Sequence, residues 1–362
     1  MRKDIKPILT LYNWKNALYW LIKYLVVSMQ WHIPINIAKP SSPIQYGQKV
    51  FLMGSCFTEH IGKGLADLKF ETLQNPHGIL FGPDAVGKAL VSYCTDFIYR
   101  TEDLFQLDEI WYSWDHHSRF SSTQLSLCLE KINASQQEAS QFIKKTDWLI
   151  LTLGSSFCYR LSEKAKLASA KVGDRVANCH RAPADWFQKE LLSVKEIVEL
   201  LRNSFQQFRR VNDQGKIMLT ISPVRHIRDG VQQNNRSKAR LFEAIQLLEE
   251  EGEDIYYFPA YELVVDVLRD YRFYDIDLVH PNFAATEFVL EKFMETCMDE
   301  KSLDLSKQVK KLMIAFRHRP HQPDTHQHRH FMEQQWQKAK SLQEQFPFLD
   351  LQEQLQYFAS GK

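Results

Sequence analysis

The sequence predicts an α/β fold, a three-layer α/β/α sandwich around a central parallel sheet. Four short apolar runs carry this expectation: KVFLMG (49–54), DWLILTLG (147–154), KIMLTISP (216–223) and DIYYFP (254–259). Their hydrophobicity is near-continuous rather than alternating, which suits strands covered on both faces. Between them lie amphipathic helical patterns, SVKEIVELLRNSFQQFRRV (193–211) and RSKARLFEAIQLLEEE (236–251), each long enough to cross over between parallel strands.

The remaining elements follow in chain order. Leu11, Trp14, Leu18, Leu21, Ile22 and Leu25 recur at helical spacing, so residues 1–28 read as an amphipathic helical extension. Lys15 and Lys23 interrupt its apolar stretch, leaving less than the roughly 18 to 20 residues a spanning helix needs. Packing on its own protein is the plain expectation; contact with a membrane surface is the sharper alternative. HIPINIAKPSSPIQYGQK reads as an extended lead-in to the first strand, and a main domain is expected over 29–305. Within it, IWYSWDHHSRFSS (110–122) reads as a loop or hairpin insertion. Residues 306–362 complete the chain with HRPHQPDTHQHRH (318–330), read as a solvated linker or at most an adventitious metal binder, and the helix MEQQWQKAKSLQEQ packing on the domain.

Composition narrows the function. Lys and Arg number 45 against 44 Asp and Glu, with no long run of one sign, so nothing draws the chain to nucleic acid. A small or neutral substrate fits better. The six cysteines (Cys56, Cys94, Cys128, Cys158, Cys179, Cys297) include no CxxC pair. They are therefore expected to be reduced, in a cytoplasmic protein with no metal and no cofactor.

Ligands of open parallel sheets gather beyond the carboxyl ends of the strands. There the sequence places Gly54-Ser55-Cys56-Phe57, Gly154-Ser155-Ser156-Phe157, Ser222-Pro223-Val224-Arg225-His226 and, farther on, Asp275-Ile276-Asp277-Leu278-Val279-His280-Pro281. Asp277 three residues before His280 can hold one imidazole nitrogen while the other faces a nucleophile, the base-and-orienter arrangement of acyl transfer. An isolated Asp and His on a loop are more often turn residues; the glycine-nucleophile turn after the first strand is what strengthens this pair.

Several motifs in order, MGSCF (53–57), NPHGILFGP (75–83), LTLGSSFCY (151–159), NCHRAP (178–183), SPVRHIRDG (222–230), SKARL (237–241) and YFPAYELVVDVLRDYRFYDIDLVHPN (257–282), together resemble the GSCFA-domain proteins, with Thr58 in place of the motif's Ala. That family is grouped with the SGNH hydrolases, which implies an SGNH hydrolase-like (flavodoxin-like) sandwich and esterase-type chemistry. Matched block by block, the resemblance puts Gly54, Ser55 and Cys56 on the nucleophile block, with Cys56 at the nucleophile position. It makes Gly78 a backbone oxyanion donor and sets Gly154-Ser155-Ser156-Phe157 on the block that normally supplies a side-chain amide, absent here, for which Asn178 is the substitute candidate. Asp277 and His280 match the Asp-x-x-His block.

The expectation is thus an acyl-ester hydrolase of a small-molecule or carbohydrate-linked acyl substrate, with Ser55 or Cys56 as nucleophile, His280 as base, Asp277 orienting it, and the backbone N–H groups of Cys56 and Gly78 binding the oxyanion. Register favours Cys56; the usual burial of free cysteine favours Ser55. An acyltransferase on the same fold and a non-catalytic ligand-binding protein are the alternatives. Arg225, with Arg228 and Arg272, can clamp an anionic group or merely pair within loops. His60, His180 and His226 are expected to be structural.

Overall fold

The computed structural model describes residues 33–165 and 171–360, so the expected helix over 1–28 lies outside the described residues. The strands are β1 (Lys49–Gly54), β2 (Glu71–Gln74), β3 (Leu104–Leu107), β4 (Ile110–Ser113), β5 (Trp148–Leu153), β6 (Phe157–Leu161), β7 (Arg175–Val176), β8 (Phe187–Leu191), β9 (Lys216–Ile221) and β10 (Ile255–Tyr257). The longer helices are α1 (Cys56–Asp67), α2 (Pro83–Cys94), α3 (Leu125–Ile143), α4 (Val194–Val211), α5 (Val231–Glu250), α6 (Phe283–Cys297), α7 (Glu300–Arg317), α8 (His326–Gln345) and α9 (Gln352–Ser360).

Five strands form one parallel sheet in the order β10-β9-β5-β1-β2. All four apolar runs are in it. Side chains alternate across a strand, so Phe51, Met53, Leu149, Leu151, Ile217 and Leu219 join one core with α2, α3, α4 and α5. Val50, Leu52, Trp148, Ile150 and Met218 face the other way, into a core with α1 and α6. Helices on both faces of a parallel sheet give the three layers expected.

Some elements carry too little apolar signal to be read in advance. The sheet's outer strand β2 is ETLQ, mostly polar. Helix α3 buries Gln136 and Ser140 beside Cys128, Ile132, Ala139 and Ile143, which blurs its hydrophobic stripe. The expected hairpin exists as β3-β4, while β7-β6-β8 forms a separate antiparallel sheet. The histidine tract is shorter as a linker than expected. Thr325 Oγ1 accepts the N–H of His328 at 3.2 Å and starts α8 at His326, inside the tract, with His328 buried.

The C-terminal helices build a core of their own from Leu305, Val309, Leu312, Met332, Leu351 and Phe358. Tyr46 joins it to the main domain, stacking on Phe70 at 4.1 Å between ring centres and meeting Phe348 at 5.9 Å. Arg317 reaches Asp67, the last residue of α1, at 2.5 Å.

Gly54 is the tightest point of the sheet. Its φ is +137°, and a Cβ there would lie 2.1 Å from the Thr152 carbonyl oxygen on β5. Gly54→Ala is expected to destabilise the protein by roughly 2–4 kcal/mol, through both an unfavourable backbone conformation and overpacking, read as a lowered urea midpoint with an unchanged slope.

Candidate active site

The turn from β1 into α1 is built around Gly54. Its N–H donates to Asn75 Oδ1 at 2.8 Å, its carbonyl accepts from Leu80 N–H at 2.9 Å, and Ser55 N–H donates to Thr152 O at 3.1 Å. This holds the start of α1 beside the end of β5. The two nucleophile candidates then part ways. Ser55 is the N-cap of α1, is 0% exposed, and its Oγ has no hydrogen-bond partner among the described residues. Cys56, the first helical residue, is partly exposed. Burial pushes the Cys56 thiol up; the backbone N–H groups of Phe57 and Cys56 itself pull against it, Glu59 adds to the rise and Lys238 opposes it. The opposing N–H groups are those a helix leaves unpaired at its first turn.

Gly154, just beyond β5, is where the rest of the site converges. Its N–H donates to Phe81 O at 2.8 Å and its carbonyl accepts from Lys238 Nζ at 2.7 Å. A Cβ on Gly154 would stand 3.2 Å from His226 Nε2. Lys238, on α5, is 2% exposed and also donates to Ser222 O, beyond the end of β9, at 2.6 Å. Burial lowers its pKa to about 7, with the charge of Cys56 acting to raise it. His226, on the loop after β9, receives the Phe81 ring edge-on at 5.1 Å. Burial first, then Lys238, His280 and Lys189, bring its pKa to about 4, so it is neutral at physiological pH.

The Asp277–His280 pair sits on a loop pinned to that same strand end, since Arg225 N–H donates to Val279 O at 3.1 Å. Asp277 Oδ1 accepts the N–H groups of Val279 and His280 at 2.9 and 3.0 Å, and its Oδ2 lies 2.6 Å from His280 Nδ1. The imidazole hydrogen bond, followed by the two backbone donors, holds the carboxyl at about 2. A carboxylate can only accept, so Nδ1 donates in this contact and Nε2 is directed away from Asp277. Both side chains are close to half exposed. Among the described residues His280 makes no hydrogen bond to Cys56.

Other expected site residues are occupied elsewhere. Gly78 N–H donates to Asn75 O at 2.7 Å, and a Cβ there would meet the His117 side chain, so this N–H is engaged within its own turn. Asn178 Oδ1 accepts His180 N–H at 3.0 Å in the segment between β7 and β8. Arg225 turns its guanidinium to Tyr271 Oη at 3.0 Å. Ser155 and Ser156 meet Ser237 on α5, with Oγ–Oγ distances of 3.1 Å in each case, so this loop is held by hydroxyls where an amide was sought. His60 is exposed, and His180 is buried between Ser118 Oγ and Ser113 O as a structural histidine. Arg272 pairs with Asp270 at 2.9 Å, and Arg228 lies exposed beside Cys179.

Lys238 lies in the SKARL motif with no role expected of it, and His226 is expected to be structural; the structure brings both to Gly154. For Lys238 a signal exists: it shares the buried face of α5 with Leu241, Ile245 and Leu248, a lysine in an apolar stripe. No group of three or more His, Cys, Asp or Glu among the described residues is arranged to hold a metal ion, and no described helix is long and apolar enough to cross a membrane.

No curated protein matches the chain. Among solved structures it has a distant likeness to a carbohydrate esterase family 3 protein from Talaromyces cellulolyticus, at 8% identity and a TM-score of 0.34 over 73% of this chain and 99% of that one. An acetyl xylan esterase from the rumen bacterium Butyrivibrio proteoclasticus is similar at 12% identity and a TM-score of 0.34, over 73% of this chain and 64% of that one. The model of the GSCFA family matches residues 49–293, and that of the GSCFA domain protein C-terminal domain matches 309–361. The first match spans β1 through most of α6, including the turn at Cys56 and the Asp277–His280 loop, and the chain belongs to the GSCFA family.

Proposed function

We propose that the protein hydrolyses carboxylic esters with Cys56 as nucleophile and the Asp277–His280 pair as base and orienter, on a small-molecule or carbohydrate-linked acyl substrate. The observation that carries this reading is the docking of the Asp277–His280 loop, through Val279 O, onto the end of β9, at the edge of the sheet where Cys56 opens α1 beside β5. Cys56 is preferred to Ser55 because Ser55 is fully buried.

In this reaction His280 Nε2 takes the Cys56 thiol proton as Sγ bonds to the ester carbonyl carbon. The oxyanion faces the open N-terminus of α1, where unpaired backbone N–H groups favour negative charge. The carbon–oxygen bond to the alcohol then breaks, the alcohol leaving with the proton from His280. Water, deprotonated by His280, attacks the thioester, releasing the acid and restoring the thiol. The chemistry requires His280 Nε2 to come within about 3.2 Å of the proton it abstracts, a contact that can tighten in the substrate complex.

The test is turnover of short-chain aryl esters. Cys56→Ala should abolish it, His280→Ala should lower kcat/KM by roughly 10²–10⁴-fold, and Ser55→Ala should leave it within a fewfold. Unchanged turnover in Cys56→Ala, with fluorophosphonate labelling at Ser55, would overturn the cysteine assignment.

The pair has a separate signature in stability. The folded pKa of Asp277 is depressed to about 2 from an ordinary 3.8, so its stabilising contribution is fully present above about pH 4 and is lost as pH falls through about 2. Asp277→Asn should therefore have a lower urea midpoint than the parent at pH 5, and the difference should close as the pH approaches 2.

A further inference from the structure

A buried ammonium with no carboxylate partner needs another source of negative charge or potential to offset its desolvation. Lys238 is in that position. Two backbone carbonyls, Gly154 O at 2.7 Å and Ser222 O at 2.6 Å, accept from its Nζ, and the Tyr261 ring lies 5.7 Å away. Among the described residues no Asp or Glu forms an ion pair with it. The carbonyls it touches are those just past the ends of β5 and β9, and the chain at Ser55 is hydrogen-bonded to Thr152, two residues before Gly154. Helix α5 thus brings a buried amine to the strand tips from which the turn bearing the partly exposed Cys56 departs.

We infer that Lys238 is a positioning residue whose buried ammonium is the counter-charge to a Cys56 thiolate, drawing the thiol into its anionic, nucleophilic form. This rests on the reading of Cys56 as the nucleophile and adds the group that activates it. Charge attraction is stronger where one partner is buried, as Lys238 is, than between two surface groups. The titratable groups around the pair are few: Glu59, on α1, opposes the thiolate, and Lys238, on α5, favours it. His226, from the β9 loop, faces Lys238 and is itself faced by Lys189 and His280. His226 is neutral near pH 7 and Lys238, lowered by burial to about 7, is there partly protonated, so the group that opposes the rise of the Cys56 thiol is Lys238 in its ammonium form. The coupling is mutual: each charged partner favours the charged form of the other.

The experiment follows Cys56 alkylation by iodoacetamide against pH, using peptide mass spectrometry so that the other five cysteines do not contribute. Lys238→Gln and Lys238→Met, checked for a cooperative melt, should move the inflection for Cys56 upward by about one pH unit or more, with about a tenfold slower reaction near pH 7. An unchanged profile in either folded variant overturns the inference while leaving Cys56 as nucleophile; a wild-type Cys56 that does not alkylate overturns both. Because loss of the two carbonyl contacts can unfold the variants, a second measurement uses the wild-type protein. The ¹³Cε resonance of Lys238 is titrated before and after carboxamidomethylation of Cys56. Removing the thiolate should lower the Lys238 midpoint by about half a unit or more. A midpoint that stays in place overturns the inference without any mutation.

Discussion

The close approach of Gly54 to the Thr152 carbonyl is the constraint on which the site depends. Parallel neighbours β1 and β5 end side by side, and only a residue without a side chain lets the chain leave β1 across the tip of β5 and enter a helix at once. That departure aims the N-terminus of α1 over the sheet's carboxyl edge. Everything else at the edge is referenced to the same strand tips: Lys238 bonds to the carbonyl following β5 and to the one following β9, and the dyad loop is fastened to the backbone after β9. Moving one strand tip would displace the thiol, the cation and the imidazole relative to one another.

Two neighbouring residues at one turn acquire different environments for a simple geometric reason. The capping residue of a helix has extended backbone and lies against the strand it leaves, which in this chain directs Ser55 into the protein. The next residue already has helical backbone, and its side chain emerges on the open side. The buried hydroxyl and the partly exposed thiol are consequences of that one-residue step from extended to helical backbone, not of any distinction in polarity.

The layered fold was legible because its central strands are buried on both faces, and burial leaves an unmistakable run such as WLILTL. Elements whose burial is partial or polar were not. The edge strand ETLQ and the α3 stripe containing Gln136 and Ser140 lack the contrast that periodicity detects. At the site, the Asp277–His280 hydrogen bond was legible because a spacing of three within one tight loop is local. Lys238 and His226 meet at Gly154 from separate segments, 84 residues downstream in the case of the lysine, and no spacing in the chain encodes that encounter. Gly78 shows the converse. Its place in a motif was visible, but whether its N–H was free depended on a carbonyl three residues earlier.

The helix that begins at Cys56 ends at Asp67, and its far end is gripped by Arg317 from α7, with Tyr46 bridging the C-terminal core to Phe70 and donating through its hydroxyl to Leu68 O at 2.8 Å. Twelve residues of α-helix form a stiff rod of about 18 Å. The thiol therefore sits at one end of a rigid element whose other end is held by contacts with the C-terminal helices and Tyr46, so the axial position of Cys56 is fixed from both ends of α1.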